Sequence, residues 1–317
     1  MGIFISIASY CDPLLTFTIE RAARTARHPE WLHFGVVDQS PATAPRPQAA
    51  KDSPAKLSYL RIDPIDARGP CWARALAMTL YAGEDWFFQI DSHMSFDPGW
   101  DETLVGWAER LSAGRIIGTG VAISAYPNPF VMDNGEPVHK PTTTRVLSHV
   151  VKPGGGFAAD HPVLSFEAHP VDTDEAVPGF HLGAGCLFAH GRIAKALPYD
   201  PQLYFHGEEQ ALALRLFTHG WDLFHIPALP VYHLYNQPGS GGPARPMHWD
   251  AEQDRLRQVT WLEREQRSRA RLAALVAGDD LGAYGLGTRR SVADYADFSG
   301  IDYAARSLAD RAFKAAR

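Results

Sequence analysis

IFISIASYCDPLLTFTIERAARTARHPEWLHFGVVDQ, residues 3–39, reads as a strand, a helix and a second strand. Ile3, Ile5 and Ile7 alternate with Phe4, Ser6 and Ala8, the period-two pattern of a strand. Ser9, Tyr10, Cys11, Asp12 and Pro13 then form a strand-to-helix loop. The apolar and basic mixture from Leu14 to Arg27 predicts a helix, closed by His28 and Pro29. WLHFGVVDQ is nearly continuous in apolar content and predicts the next strand, with Asp38 near its end. A strand, a helix and a strand in that order predict an α/β fold built on a parallel sheet with covered faces. In such sheets ligands collect at the carboxyl ends of the strands. Asp12 and Asp38 stand at two such ends.

Outward from this unit, residues Ser40 to Lys56 are rich in Pro, Ala and Ser and predict a surface loop, and Leu57 to Ile62 resumes as a strand. Gly69 and Pro70 open a helix expected over Cys71–Tyr81, where a proline in the first turn is tolerated because its missing donor would be unpaired anyway. The free amides of that helix start, with Arg68 and Arg74, suit an anion. Trp86–Ile90 predicts a strand, Trp100–Arg110 a helix and Arg115–Ile123 a further strand. From Tyr126 to Glu175 periodicity is weak, with short strands expected at Thr144–Val151 and Val163–Glu167; this variable region, about 124–178, reads equally as a segment that shapes an acceptor site or as a poorly ordered one. The small residues Gly183, Ala184, Gly185 and Cys186 allow either close backbone approach to a ligand or tight strand packing. A helix is expected from Gly207 and Glu208 to Gly220, strands over Trp221–Ile226 and Val231–Leu234, and a long helix from after Trp249 to about Ala277. The chain thus divides into a core, 1–248, and a helical C-terminal extension and tail, 249–317.

The 317 residues suffice for one large core or two modest ones, and 45% hydrophobic with 21% charged residues fits a soluble globular protein. A net charge of -6 argues against nucleic acid as a partner, since a phosphate-tracking surface shows an excess of Lys and Arg. Cys11, Cys71 and Cys186 form neither a disulfide scaffold nor a close pair, which points to a reducing compartment. The first residues read as a strand and not a signal peptide, and no apolar run approaches membrane-spanning length, so a cytoplasmic protein without a membrane partner is expected. GxGxxG, P-loop, HExxH and serine nucleophile-elbow motifs are missing from the sequence.

The chemistry concentrates in WFFQIDSHMSFDPGWD, residues 86–101. Asp91 and His93 are two apart, so in an extended segment their side chains leave on the same side. A carboxylate and an imidazole there can share one divalent cation, which would compensate a departing diphosphate. A strand end with an Asp cap and a surface His is the equal alternative on these residues alone. Glu208 and Glu209 open a helix, where neighbours diverge; one is expected to face a cleft and the other solvent or the helix dipole.

Eight segments in order carry a resemblance over nearly the whole chain. They are IFISIASYCDP (3–13), FGVVDQ (34–39), RGPCWAR (68–74), the Asp-Ser-His region, FHLGAGCLFAHG (180–191), YFHGEEQALALRLFTHGWDLFHIP (204–227), VYHLY (231–235) and YGLGTRRSVADYADFSGIDY (284–303). The set resembles the Skp1-type hydroxyproline N-acetylglucosaminyltransferases and their bacterial homologues, and more distantly the polypeptide N-acetylgalactosaminyltransferases. The resemblance implies a GT-A fold with a Rossmann-like, mostly parallel sheet flanked by helices, a metal such as Mn2+ or Mg2+, and UDP-GlcNAc as donor. It implies that Asp91 and His93 form an Asp-X-His metal motif completed by His233. It places Asp12 and Asp38 beside uridine, with Ser9, Tyr10 and Ser92 on the same donor side, and Arg68 and Arg74 near the nucleotide or diphosphate. Glu208 or Glu209 would contact the transferred sugar or the acceptor, with Glu208 favoured because it directly follows Gly207. Transfer to an acceptor hydroxyl would retain anomeric configuration without a side-chain nucleophile. The acceptor itself, on a protein, a glycan or a small molecule, is not carried over. A UDP-sugar hydrolase and a non-catalytic sugar-nucleotide or glycan-binding protein are the alternatives.

Overall fold

The computed structural model describes residues 1–49, 52–113, 120–140 and 145–316. Strand β1 (Ile3–Tyr10), helix α1 (Leu15–Thr25) and strand β2 (Leu32–Gln39) form the expected unit, with β1 and β2 parallel and Tyr10 opposite Gln39. Strand β3 (Lys56–Ile62) extends the sheet beyond β2, helix α2 (Pro70–Met78) packs over β1 and β2, and strand β4 (Trp86–Ile90) pairs with the free side of β1. The chain therefore reverses its direction of travel across the sheet between β1 and β4, and the crevice above such a switch point is where α/β folds bind ligands.

Next come a short strand β5 (Met94–Phe96), helix α3 (Trp100–Ser112) and strand β6 (Gly120–Ser124). Of the strand expected over 115–123, residues 115–119 lie outside the described residues. Four strands follow in the variable region, β7 (Asn128–Asp133), β8 (Glu136–His139), β9 (Val146–Val151) and β10 (Phe166–Val171), before β11 (Val177–Gly179) and β12 (Cys186–His190). The strand expected at Val163–Glu167 thus forms three residues later, where it pairs antiparallel with β9. A short helix α4 (Ile193–Ala196), helix α5 (Glu208–Thr218), and strands β13 (Trp221–His225) and β14 (Val231–His233) complete this part.

The large sheet has the order β11-β13-β6-β12-β4-β1-β2-β3, in which only β11 and β12 run against the other six. Alternate residues of β1 feed two different cores. Ile3, Ile5 and Ile7 join Ile19, Phe34 and the fully buried Trp100 on one face, while Phe4 joins Phe87, Leu216 and Leu272 on the other. Burial on both faces is what a covered, mostly parallel sheet requires.

The C-terminal helix is interrupted where one continuous element was expected. Helix α6 (Ala251–Asp254) stops, and helix α7 (Trp261–Ala277) starts afresh. Thr260 caps α7 in a reciprocal capping box with Glu263, and the Asp254 carboxylate accepts a hydrogen bond from the Trp261 amide at 2.7 Å. These local bonds favour a new helix start at Thr260 over continuation by about 1 kcal/mol. Leu272 and Leu275 of α7 then bury in the second core, and helix α8 (Val292–Ser299) packs on α5.

Candidate active site

The turn after β4 carries Asp91, Ser92 and His93 over the switch point. A second, small sheet brings their distant partner. β5 and β14 pair antiparallel with His233 opposite Met94, and the Leu234 amide donates to the His93 carbonyl at 3.0 Å. This register sets two histidines 140 residues apart side by side, Nε2 to Nε2 at 2.9 Å. His233 Nε2 also lies 3.4 Å from Asp91 Oδ2, and one ligand atom from each of the three residues falls within 4.8 Å of the others.

Two ligands each about 2.1 Å from one ion, and at right angles to each other, are about 3 Å apart. The separations therefore fit a shared divalent cation, and two imidazole nitrogens facing each other at this distance otherwise need a proton between them. Asp12 supplies the orientation. Its Oδ2 accepts from Ser92 Oγ at 2.7 Å and from His93 Nδ1 at 2.6 Å, which leaves His93 Nε2 as the lone-pair nitrogen. Burial would raise the Asp12 carboxyl, but these bonds bring it below its usual range. Burial acts the same way on Asp91, and the His233 hydrogen bond and the Arg74 charge hold it well below the carboxylate range. Burial lowers His233 and keeps it neutral, the form that ligates. Gly185 makes room for the centre: a Cβ there would come 2.3 Å from Asp91 Oδ2.

Arg74 of α2 is buried and bridges Asp91 Oδ1, at 2.8 Å, to Glu208, which also receives the Tyr199 hydroxyl. Glu208 is thereby engaged behind the centre. Glu209 faces the cleft with its side chain 31% exposed; its Oε1 accepts from the Ala184 amide and its Oε2 from the Tyr126 hydroxyl, both at 2.8 Å. The two neighbours diverge as expected, Glu209 to the cleft and Glu208 to a buried pair with Arg74 in place of solvent. Gly207, with φ of +86°, turns the chain so that both carboxylates of the first turn meet groups of the site.

A cleft of about 600 Å³ collects Ser9, Tyr10, Asp12, Arg74, Asp91, Ser92, His93, His233 and both glutamates. Two expected residues are not among its walls. Arg68 is exposed and stacks over the Trp72 ring at 5.4 Å, away from the cleft. Asp38 is buried behind it, accepting from Ser40 Oγ and the Tyr59 hydroxyl, while its neighbour Gln39 lines the cleft and donates to the Ser9 carbonyl at 3.1 Å. Successive strand residues face opposite sides, so a one-residue difference at the end of β2 decides which of the two reaches the ligand space.

Sequence reading also passed over Arg245, which lies in the Pro- and Gly-rich run after His233. Its Nη2 donates to the Leu234 carbonyl at 2.7 Å, its Nη1 is buried without a hydrogen-bond partner among the described residues, and it feels the charges of Asp12 and Asp91. The aromatic wall of Phe205, His248 and Trp249 was likewise unforeseen, and it runs across the expected boundary at 248/249. Burial pushes the His248 imidazole down to about 3.

A mostly parallel α/β sheet carrying this turn at its switch point is the architecture of a GT-A glycosyltransferase. The family model described as Glycosyltransferase (GlcNAc) matches residues 52–305, and the chain belongs to that family. The structure of GalNAc-T7 with UDP, GalNAc and Mn2+ shares the fold with a TM-score of 0.55 at 12% identity; the match covers 93% of this chain and 54% of that one, so the chain spans about half of that relative's length. S. aureus TarS residues 1–349 in complex with UDP-GlcNAc gives a TM-score of 0.41 at 12% identity over 89% of this chain and 68% of that one. No curated protein sequence matches the chain. Among the described residues, no helix is long and apolar enough to cross a membrane.

Proposed function

We propose that the protein transfers GlcNAc from UDP-GlcNAc to an acceptor hydroxyl, with retention of configuration and with Mn2+ at Asp91, His93 and His233, where Mg2+ can substitute. The observation that carries this reading is the convergence of those three side chains over the switch point of a chain in the glycosyltransferase (GlcNAc) family. The family suggests the donor sugar, and the GalNAc-T7 structure, solved with UDP and Mn2+, supports the nucleotide and the ion. Kinship with the Skp1-type hydroxyproline enzymes is part of the proposal, while the acceptor is specified only as a hydroxyl on a protein, glycan or small molecule.

A divalent cation bound there would offset the charge of the departing diphosphate. Asp12 fixes the His93 ring, and Arg74 and Gly185 place Asp91. Arg245, in the cleft lining with one guanidinium nitrogen unpartnered among the described residues, would supply a charged donor to the diphosphate. Ser9, Tyr10 and Gln39 flank the nucleotide, and Glu209 accepts hydrogen bonds from the sugar. The acceptor oxygen attacks the anomeric carbon on the face from which UDP departs. The bond from that carbon to the β-phosphate oxygen breaks, and the acceptor proton passes to that oxygen, so neither Glu208 nor Glu209 acts as nucleophile. Residues 1–248 form the catalytic core and 249–317 an extension that also closes the cleft. Three free cysteines suit a cytoplasmic setting.

The test is mass-resolved product analysis with purified protein, Mn2+, separate UDP-sugars and a panel of peptide, glycan and small-molecule acceptors. One N-acetylhexosamine added from UDP-GlcNAc is the expected result. UDP release that no acceptor stimulates would make the protein a hydrolase, tight UDP binding without turnover a binding protein, and an inverted product would remove retention while leaving transfer intact.

A further inference from the structure

Phe205, His206 and Gly207 form the turn that enters α5, and all three line the cleft. His206 stands at the mouth with its side chain 53% exposed, yet the carboxylate that holds it, Glu265 of α7, is 1% exposed. Glu265 Oε1 accepts from His206 Nδ1 at 3.0 Å, and Oε2 from the His206 backbone amide at 3.4 Å. Arg269, one helical turn further, reaches the same Oε1 at 3.3 Å. Burial would raise the Glu265 carboxyl, but His206 and Arg269 bring it below its usual range, so it stays ionised. An ionised carboxylate only accepts, hence His206 Nδ1 carries a hydrogen, and in the neutral ring the lone pair is on Nε2. Among the described residues no hydrogen bond occupies that Nε2. The cleft mouth therefore presents one oriented acceptor nitrogen, on a ring fixed from behind by a buried charge. The donor's charged end is served by Asp91, His93, His233 and Arg245, which leaves the mouth to the second substrate.

We propose that His206 binds the acceptor substrate, its Nε2 accepting the hydrogen of an acceptor hydroxyl, and that Glu265 is the positioning residue that fixes the ring. This deepens the transferase reading and rests on it. A threonine peptide, a hydroxyproline peptide and methyl N-acetylglucosaminide serve as hydroxyl probes, with UDP release from UDP-GlcNAc measured at varied probe concentration. H206A is expected to raise the KM of the best probe about tenfold, the loss of one neutral hydrogen bond. Mn2+-dependent UDP binding, measured by calorimetry, is expected to stay unchanged. H206N, whose amide oxygen can accept, restores much of the probe KM. In 15N-labelled protein the His206 ring is expected as the Nδ1–H tautomer, a preference that E265Q abolishes. An unchanged probe KM in H206A, an equal loss of UDP binding, or an Nε2–H ring in the wild type each overturns the proposal. If no probe stimulates UDP release by the wild type, the transferase reading fails and the acceptor role with it; transfer that proceeds with an unaltered H206A KM removes the acceptor role alone.

Discussion

Asp12 bonds to His93 and Ser92 at once, and so couples the end of β1 to the turn after β4. Asp12→Asn keeps the shape but offers an amide hydrogen to His93 Nδ1, which drives the ring hydrogen to Nε2, the nitrogen proposed to hold the cation. Mn2+ affinity, titrated calorimetrically with UDP present, is expected to fall about 10- to 100-fold with folding intact. Unaltered affinity would remove His93 from the ligand set or Asp12 from its support. Asp91 and His93 were legible in sequence as a pair two apart beyond a strand end, but spacing alone left a capping Asp and a surface His as an equal reading, since the two lie in the turn between β4 and β5. His233, Arg245 and His206 were legible only through resemblance or not at all, since spacing says nothing about residues brought together by strand pairing, a glycine-rich loop or a helix seventeen residues long.

At the level of elements, period-two alternation sufficed for β1, nearly continuous apolar content for β2, and the apolar and basic mixture after Pro13 for α1. What these patterns did not disclose was set by side-chain to backbone bonds. The break between α6 and α7 follows from Asp254 and Thr260, and the choice of Gln39 over Asp38 from which face of β2 the ligand space adjoins. Asp101 is another such case. It is fully buried in the first turn of α3, and its two oxygens accept from the amides of Arg27 and His28, each at 2.8 Å, so that it ties the end of α1 to α3. Asp101→Ala leaves two amides without partners and is expected to destabilise the fold by roughly 2 kcal/mol in urea unfolding. A midpoint equal to wild type would mean that water satisfies those amides at no cost.

The molecule as a whole buries three histidines, His149, His181 and His225, around Tyr126 and Glu209. His149 Nε2 accepts from the Tyr126 amide at 2.7 Å, a role only a neutral ring takes, and His225 Nδ1 donates to the Ser124 carbonyl at 2.7 Å. Burial lowers all three, His225 to about 4. Between that value and the unfolded value near 6.5 the unfolded chain binds more protons than the folded one. Stability is then complete above about pH 6.5 and declines as pH falls, by up to about 1.4 kcal/mol per unit for each group, levelling below the folded values. The urea midpoint is expected to drop between pH 7.5 and pH 5, above the range in which the lowered carboxylates Asp12 and Asp91 titrate. An identical midpoint at both values would refute the neutral-histidine account.

The pairing of β5 with β14 also bears on how the protein comes into being. During synthesis Asp91 and His93 leave the ribosome long before His233, so a chain stalled ahead of residue 231 holds Asp91 and His93 without the strand that sets His233 beside them. In the finished protein a cation held as proposed would report on β14, because loosening the small sheet separates His233 from His93 while the helices stay intact.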